Sequence, residues 1–223
     1  MWCIPEMTPE YAQKMEDVLN LNEKPLNPKE PVVCLDEKPV QLLEDARPSI
    51  AADRPGAIFK RDYEYVRGGT ANVFCAVEPK AGKHFTRVTK NRKGPAFAKM
   101  LSRLAKAYPG KETIHLVMDN LSTHGGKSLT DFYGEKEGGK IWGKFTPHYT
   151  PKHASWLDQA EIEIGIFSRQ CLGDDRIGDI PTLRRRASAW NRRMNRQRRK
   201  INWGFTVQQA REKFRYKSPD FIR

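Results

Sequence analysis

The 223-residue sequence predicts an α/β fold, one mixed sheet covered by helices, with a basic helical extension at its end. Three observations predict it. Val-Val-Cys-Leu (32–35) and Ile-His-Leu-Val-Met (114–118) are near-continuous apolar runs, as expected of central strands covered on both faces. Strand-like and helix-like segments follow one another as β β β α β α β α, which stacks helices on a sheet. The final stretch, 176–223, has helical periodicity and holds 15 basic and 3 acidic residues, +12 of the chain's +13.

In chain order, Thr8 or Pro9 starts a short helix over 8–20, with Tyr11, Met15, Val18 and Leu19 as its apolar stripe. Asn-Glu-Lys-Pro-Leu-Asn-Pro-Lys-Glu-Pro then reads as a linker. The run 31–39 is a buried strand that ends in charge. Residues 44–69, with Arg-Pro-Ser, Asp-Arg-Pro-Gly and Arg-Gly-Gly, read as irregular chain with room for a hairpin. Strands over 70–78 and 83–89 flank a tight turn at Pro79–Gly82. A helix over 95–108 buries Phe97, Met100, Leu101, Leu104 and Tyr108, and Pro109-Gly110 ends it. A strand over 113–120, a short helix over 127–134 and a strand over 140–147 follow. Helices over 157–171 and 181–199 come next, and Thr206-Val-Gln-Gln209 opens a last helix with a capping-box pattern. Three divisions result: 1–30 as helix and linker, 31–175 as the core domain, and 176–223 as the extension packed on it.

Composition removes several classes. No apolar run approaches the ~18 residues of a membrane span. The N-terminus lacks the basic start and apolar stretch of a secretory signal. The cysteines, at 3, 34, 75 and 171, form no CxxC pair, which argues against a zinc ribbon. Cys34 and Cys75 lie in apolar runs and are expected to be buried thiols. The basic excess points to a polyanionic partner, nucleic acid above all, against the alternative of a solvated face.

Two carboxylates carry the chemistry. Asp36 ends Val-Val-Cys-Leu, and Asp119 ends Ile-His-Leu-Val-Met. A charge at the end of a buried strand is costly unless compensated. If the strands are neighbours, the two acids sit side by side and demand a cation or a shared proton. Mg²⁺ suits such oxygen ligands. The plainer alternative is a pair of strand-end turn residues. A third acid lies in Ser-Trp-Leu-Asp-Gln-Ala-Glu-Ile-Glu-Ile-Gly. Glu161 and Glu163 flank the apolar face of that helix on opposite sides, and periodicity does not choose between them. Gly165 and Ser168 leave room beside Glu161, which favours it weakly.

At these residues the chain resembles the DDE transposases of bacterial insertion sequences, in the mariner-related branch with an RNase H-like fold. The matching pieces are VVCLDEKPVQ, YVRGGTANVFCAVEP, LVMDNLSTH, and HYTPKHASWLDQAEIE with SRQCL, in the expected order over about 31–215. The resemblance implies a mixed five-stranded sheet with helices on both faces, and Asp36, Asp119 and Glu161 as the catalytic, metal-holding triad. It implies Mg²⁺ or Mn²⁺, two ions, which would activate a water or a DNA 3′-hydroxyl and stabilise the leaving oxygen. Cleavage and strand transfer then use the same in-line displacement. Double-stranded DNA, as transposon ends and target, is the implied partner; a homodimer and a cytoplasmic, nucleoid-associated location fit the same picture. Asp158 stands where the family has Asn. The family's helix-turn-helix domains precede the core, so 1–30 reads as the remnant of such a region. Asn120, His124 and His153, with Asp158, are secondary site candidates for binding phosphate or orienting a carboxylate.

On the extension, Leu183, Ala187, Trp190 and Met194 make an apolar anchor. Arg184, Arg185, Arg186, Arg192, Arg193 and Arg196 surround it and suit sequence-independent phosphate contacts. Two alternatives share parts of this reading. Another RNase H-like nuclease would cut without joining strands, and a truncated remnant would only bind DNA. Three intact acids speak against the remnant.

Overall fold

A computed structural model describes residues 7–216. Residues 1–6 and 217–223, with Cys3 and the end of the extension, lie outside the described part. The sheet has five strands in the order β3-β2-β1-β4-β5. They are β1 (Val32–Asp45), β2 (Tyr65–Glu78), β3 (Lys83–Thr89), β4 (Ile114–Met118) and β5 (Phe145–Tyr149). The pairs β1/β2 and β2/β3 are antiparallel, whereas β1/β4 and β4/β5 are parallel. The two apolar runs thus form adjacent central strands, the condition that brings Asp36 and Asp119 together.

Alternation along the strands sorts residues onto two faces. Val33, Leu35, Phe74, Ala76, Ile114, Leu116 and Met118 face one layer of helices, α2 (Gly94–Ala107), α3 (Gly126–Tyr133) and α4 (Glu135–Trp142). Val40, Leu42, Val73 and Cys75 face α5 (Ala160–Phe167) and α6 (Ile180–Gln197). Cys34, Val77 and Val117 lie under α1 (Pro9–Glu23) and α7 (Val207–Phe214), whose ends are held by Thr8 and the Thr206/Gln209 capping box. Cys34, Cys75 and Cys171 are buried free thiols. Among the described residues no helix is long and apolar enough to cross a membrane.

Three segments depart from the sequence reading. Residues 44–69 are less irregular than expected. β1 runs to Asp45 and β2 starts at Tyr65, so a long hairpin leaves only 46–64 outside the sheet, with one bridge at Ile50–Lys60. Pro39 does not end β1, because β4 pairs only as far as Cys34–Val117 and leaves that edge open. The strand expected over 140–147 is wrong by type over its first half. α4 ends at Trp142, and β5 begins at Phe145. Two consecutive glycines, Gly138 and Gly139, hid this helix. Gly138 is required by packing: a Cβ there would lie 2.5 Å from the Leu129 carbonyl oxygen of α3. Finally, the helix expected over 157–171 is a 3-10 turn (Ser155–Leu157), α5, and a π-helical turn (Ser168–Leu172) closed by Gly173 at φ +56.

Candidate active site

Asp36 lies in β1 opposite Cys75 of β2. Its Oδ1 accepts the Glu37 backbone N–H at 2.7 Å, and its Oδ2 accepts nothing from the described residues. Burial pushes the carboxyl up to about 7, the Glu37 N–H offsets part of this, and the charges of Glu161, Glu37 and Asp119 add to the rise. Parallel pairing matches Val32 with His115 and Cys34 with Val117. Two residues further on, the same register sets Asp36 level with Asp119.

Asp119 follows β4 at the strand end, half-exposed at its carboxylate. Its Oδ1 takes an ion pair from His124 Nδ1 and a long hydrogen bond, 3.4 Å, from the Leu121 N–H. Its Oδ2 accepts no hydrogen bond from the described residues. Burial works to raise this carboxyl, but the His124 contact, Leu121 and Arg92 outweigh it and hold it low. His124 is buried and stacks on Phe97 of α2, with ring centroids 4.7 Å apart. Its Nε2 meets Glu37 Oε1 at 2.7 Å. Burial works to neutralise the ring, yet the bonds to Asp119 and Glu37 prevail and raise it to about 9.

α5 begins at Ala160, whose N–H is taken by Asp158 Oδ1 at 2.8 Å. Glu161 is on the first turn and exposed. Its charge nonetheless helps to raise the carboxyls of both Asp36 and Asp158. Asp158 is buried, and burial followed by the charge of Asp36 pushes it well above the usual carboxylate range. Burial distinguishes the two glutamates that helix periodicity left equivalent. Glu163 is fully buried and meets His84 Nδ1 at 2.8 Å, far from solvent.

The remaining candidates separate. Asn120 and His153 line a groove of about 750 Å³ beside Asp119, with the N-cap Thr8 and Lys14 of α1 and Lys152 from the loop after β5. That loop is tied to the β4 end by Thr150 N–H to the Met118 carbonyl, 3.0 Å. His153 is exposed and held at φ +63, a costly conformation for a residue with a Cβ. On α6, Leu183, Ala187, Trp190 and Met194 are buried as expected. Arg184, Arg185, Arg192, Arg193 and Arg196 are exposed. Arg186 pairs with Asp175, Arg185 with Thr182, and Arg193 with Gln170. Arg184, Arg192 and Arg196 have no partner among the described residues. The residue that sequence reasoning missed is Glu37. Its only signal is the Asp-Glu dipeptide, which sends adjacent carboxylates to opposite faces of β1.

The donor set fits divalent cations. Asp36 and Asp119 each spend Oδ1 on the protein and leave Oδ2 open, and the Glu161 carboxylate makes no hydrogen bond to a described residue. Among the described residues no group of three or more His, Cys, Asp or Glu side chains is placed to hold a metal ion. Mg²⁺ keeps several waters and takes only one or two carboxylates.

A family model for DDE superfamily endonucleases matches residues 31–184, more than half of the chain. No curated protein matches the chain. Among solved structures, the Mos1 mariner paired end complex with Mn is similar at TM-score 0.57 and 12% identity, over 85% of this chain and 56% of that one. The paired-end complex of Mos1 transposase with the left transposon end is similar at TM-score 0.56 and 13% identity, over 88% and 61%. A pre-cleavage Mos1 transpososome is similar at TM-score 0.55 and 11% identity, over 99% and 63%. The chain thus spans less than two thirds of the length of these proteins, and the likeness establishes the fold: the RNase H-like fold of Mos1 transposase. With that fold, and with the family model spanning the elements that carry Asp36, Asp119 and Glu161, the chain belongs to the DDE superfamily endonucleases.

Proposed function

We propose that the chain is the catalytic core of a transposase, which cleaves DNA strands and joins them to a target by in-line displacement at phosphorus. What supports this reading is the strand register that sets Asp36 beside Asp119, together with the rise of Asp36 to about 7, to which the charges of Glu161 and Asp119 contribute. Asp36 Oδ2, Asp119 Oδ2 and Glu161 would hold Mg²⁺ or Mn²⁺, two ions in all. Such ions, when bound, make a water or a 3′-hydroxyl nucleophilic at neutral pH and neutralise the leaving oxygen. The carboxylates supply the negative charge that binds them, and the geometry of β1 and β4 fixes where the two aspartates stand. No serine or tyrosine nucleophile is needed.

The remaining residues handle the polymer. Lys14, Lys152, Asn120 and His153 line the groove beside Asp119 and would position a strand there. Arg184, Arg192 and Arg196, unpaired among the described residues, would contact phosphates with Arg185, Arg186 and Arg193 around them. We assign the core to 31–175 and the basic extension to 176–223, with double-stranded DNA as partner. Incubation of labelled linear DNA and a plasmid target with Mg²⁺ or Mn²⁺ tests the reading. Joined products support a transposase. Nicked products alone would leave a nuclease of the same fold, and intact DNA would overturn catalysis altogether.

A further inference from the structure

Resting on the metal-site reading above, we infer that Glu37 and His124 are positioning residues, a buried pair that aims the Asp119 carboxylate at the cleft and ties the β1 acid to the β4 acid. Consecutive residues of β1 point to opposite faces. Asp36 turns toward α5 and the cleft, while Glu37 turns under the α2 layer, where it is buried. Glu37 Oε1 meets His124 Nε2 at 2.7 Å, with the two side chains 1% and 0% exposed. The other ring nitrogen of His124 faces Asp119 Oδ1. The residue is held on its remaining sides as well. The ring stacks on Phe97 at an interplanar angle of 20°, and the backbone carbonyl of His124 accepts the Tyr149 hydroxyl at 2.9 Å.

Asp119 needs such a device more than Asp36 does. Asp36 sits within a paired strand. Asp119 lies one residue past the end of β4, its carboxylate is 43% exposed, and the Leu121 N–H bond is long. The His124 contact is the strongest restraint on its rotamer among the described residues. It occupies Oδ1 and leaves Oδ2 without a hydrogen bond from the described residues. A carboxylate behind a histidine behind a ligand is the arrangement by which outer partners fix ligand orientation. Here the outermost carboxylate comes from the residue next to the first acid, so any shift of β1 moves both acids.

Mn²⁺ binding to the full chain without DNA, followed by the paramagnetic resonance of free Mn²⁺, tests this alongside thermal melting. Replacing both members with apolar residues of similar size, Glu37→Met with His124→Phe, removes the relay without leaving a buried charge unpaired. Mn²⁺ affinity should fall about 10–100-fold, the usual cost of losing an outer partner, with the melt preserved. Glu37→Gln, whose amide oxygen still accepts from Nε2, should stay within a few-fold of the unaltered chain. Unaltered affinity in a folded double variant would overturn the inference alone and make the pair structural. Absence of Mn²⁺ binding that Asp119→Asn removes would overturn the metal reading, and this inference with it.

Discussion

Two buried histidine–glutamate pairs sit on opposite faces of the same sheet. His84 Nδ1 meets Glu163 at 2.8 Å, and His124 Nε2 meets Glu37 at 2.7 Å. In both, each side chain is 1% exposed or less. The difference is what the second ring nitrogen touches. In His84 it reaches a backbone carbonyl, Arg199 O, at 3.1 Å, so the pair fastens β3, α5 and the chain after α6 to one another. In His124 it reaches a side-chain carboxylate at the cleft. The same chemical unit is thus a clamp in one place and, in the proposed metal site, a handle on an acid in the other. Burial and bond length alone do not separate the roles.

That contrast can be broken or sharpened by mutation. The largest effect is expected at the cleft: Asp36→Asn or Asp119→Asn should abolish nicking of supercoiled DNA while DNA affinity, measured by gel shift, stays the same or rises. At the clamp, Glu163→Ala should leave His84 Nδ1 unsatisfied and cost roughly 1–3 kcal/mol in denaturant unfolding. Glu163→Gln keeps an acceptor and should cost less. A cleft-like loss of activity in a stably folded Glu163→Gln would erase the distinction between the two pairs.

pH gives a finer separation in chain freed of divalent ions. His124 is raised from its ordinary 6.5 to about 9, so its contribution to stability is complete below about 6.5 and is lost as pH climbs through about 9. Asp36 is raised from 3.8 to about 7, so the folded chain keeps a proton that the unfolded chain has released, and stability falls as pH rises from about 4 to 7. Asp36→Asn should therefore raise the melting temperature at pH 8 more than at pH 4. Mn²⁺ should raise the melting temperature of the unaltered chain and not that of this variant.

The smallest effect concerns α6. Replacing Arg184, Arg186, Arg192 and Arg193 with Gln should weaken binding to all DNA sequences alike. It should also flatten the dependence of log affinity on log salt, by about 0.9 for each phosphate that is no longer neutralised. The helix should persist, because Leu183, Ala187, Trp190 and Met194 remain buried. An unchanged salt slope would make these arginines a solvated face.

Asp36 and Asp119 stand out in the sequence because a charge that ends an apolar run is a local signal, and the two runs are neighbouring strands. Helix periodicity placed Glu161 and Glu163 at equal angles from the core. Only the approach of β3, which supplies His84, decides that one is buried. Glu37 was illegible for a related reason: its partner is far away in sequence, and a Glu after Asp36 reads as surface charge. α4 was missed because Gly138 and Gly139 are poor helix formers. The contact with Leu129 that calls for Gly138 exists only once α3 and α4 pack. The break of the 157–171 segment into a 3-10 turn, α5 and a π turn left no trace in the apolar spacing.

The most direct test compares the two glutamates of α5. Mn²⁺-dependent nicking of supercoiled plasmid is measured at equal concentrations of folded protein for the unaltered chain, Glu161→Gln and Glu163→Gln. Glu161→Gln should lose nicking with an unchanged melting temperature, and Glu163→Gln should retain most of it. Nicking that survives in Glu161→Gln and disappears in Glu163→Gln would contradict the assignment of the third acid and the cleft built on it.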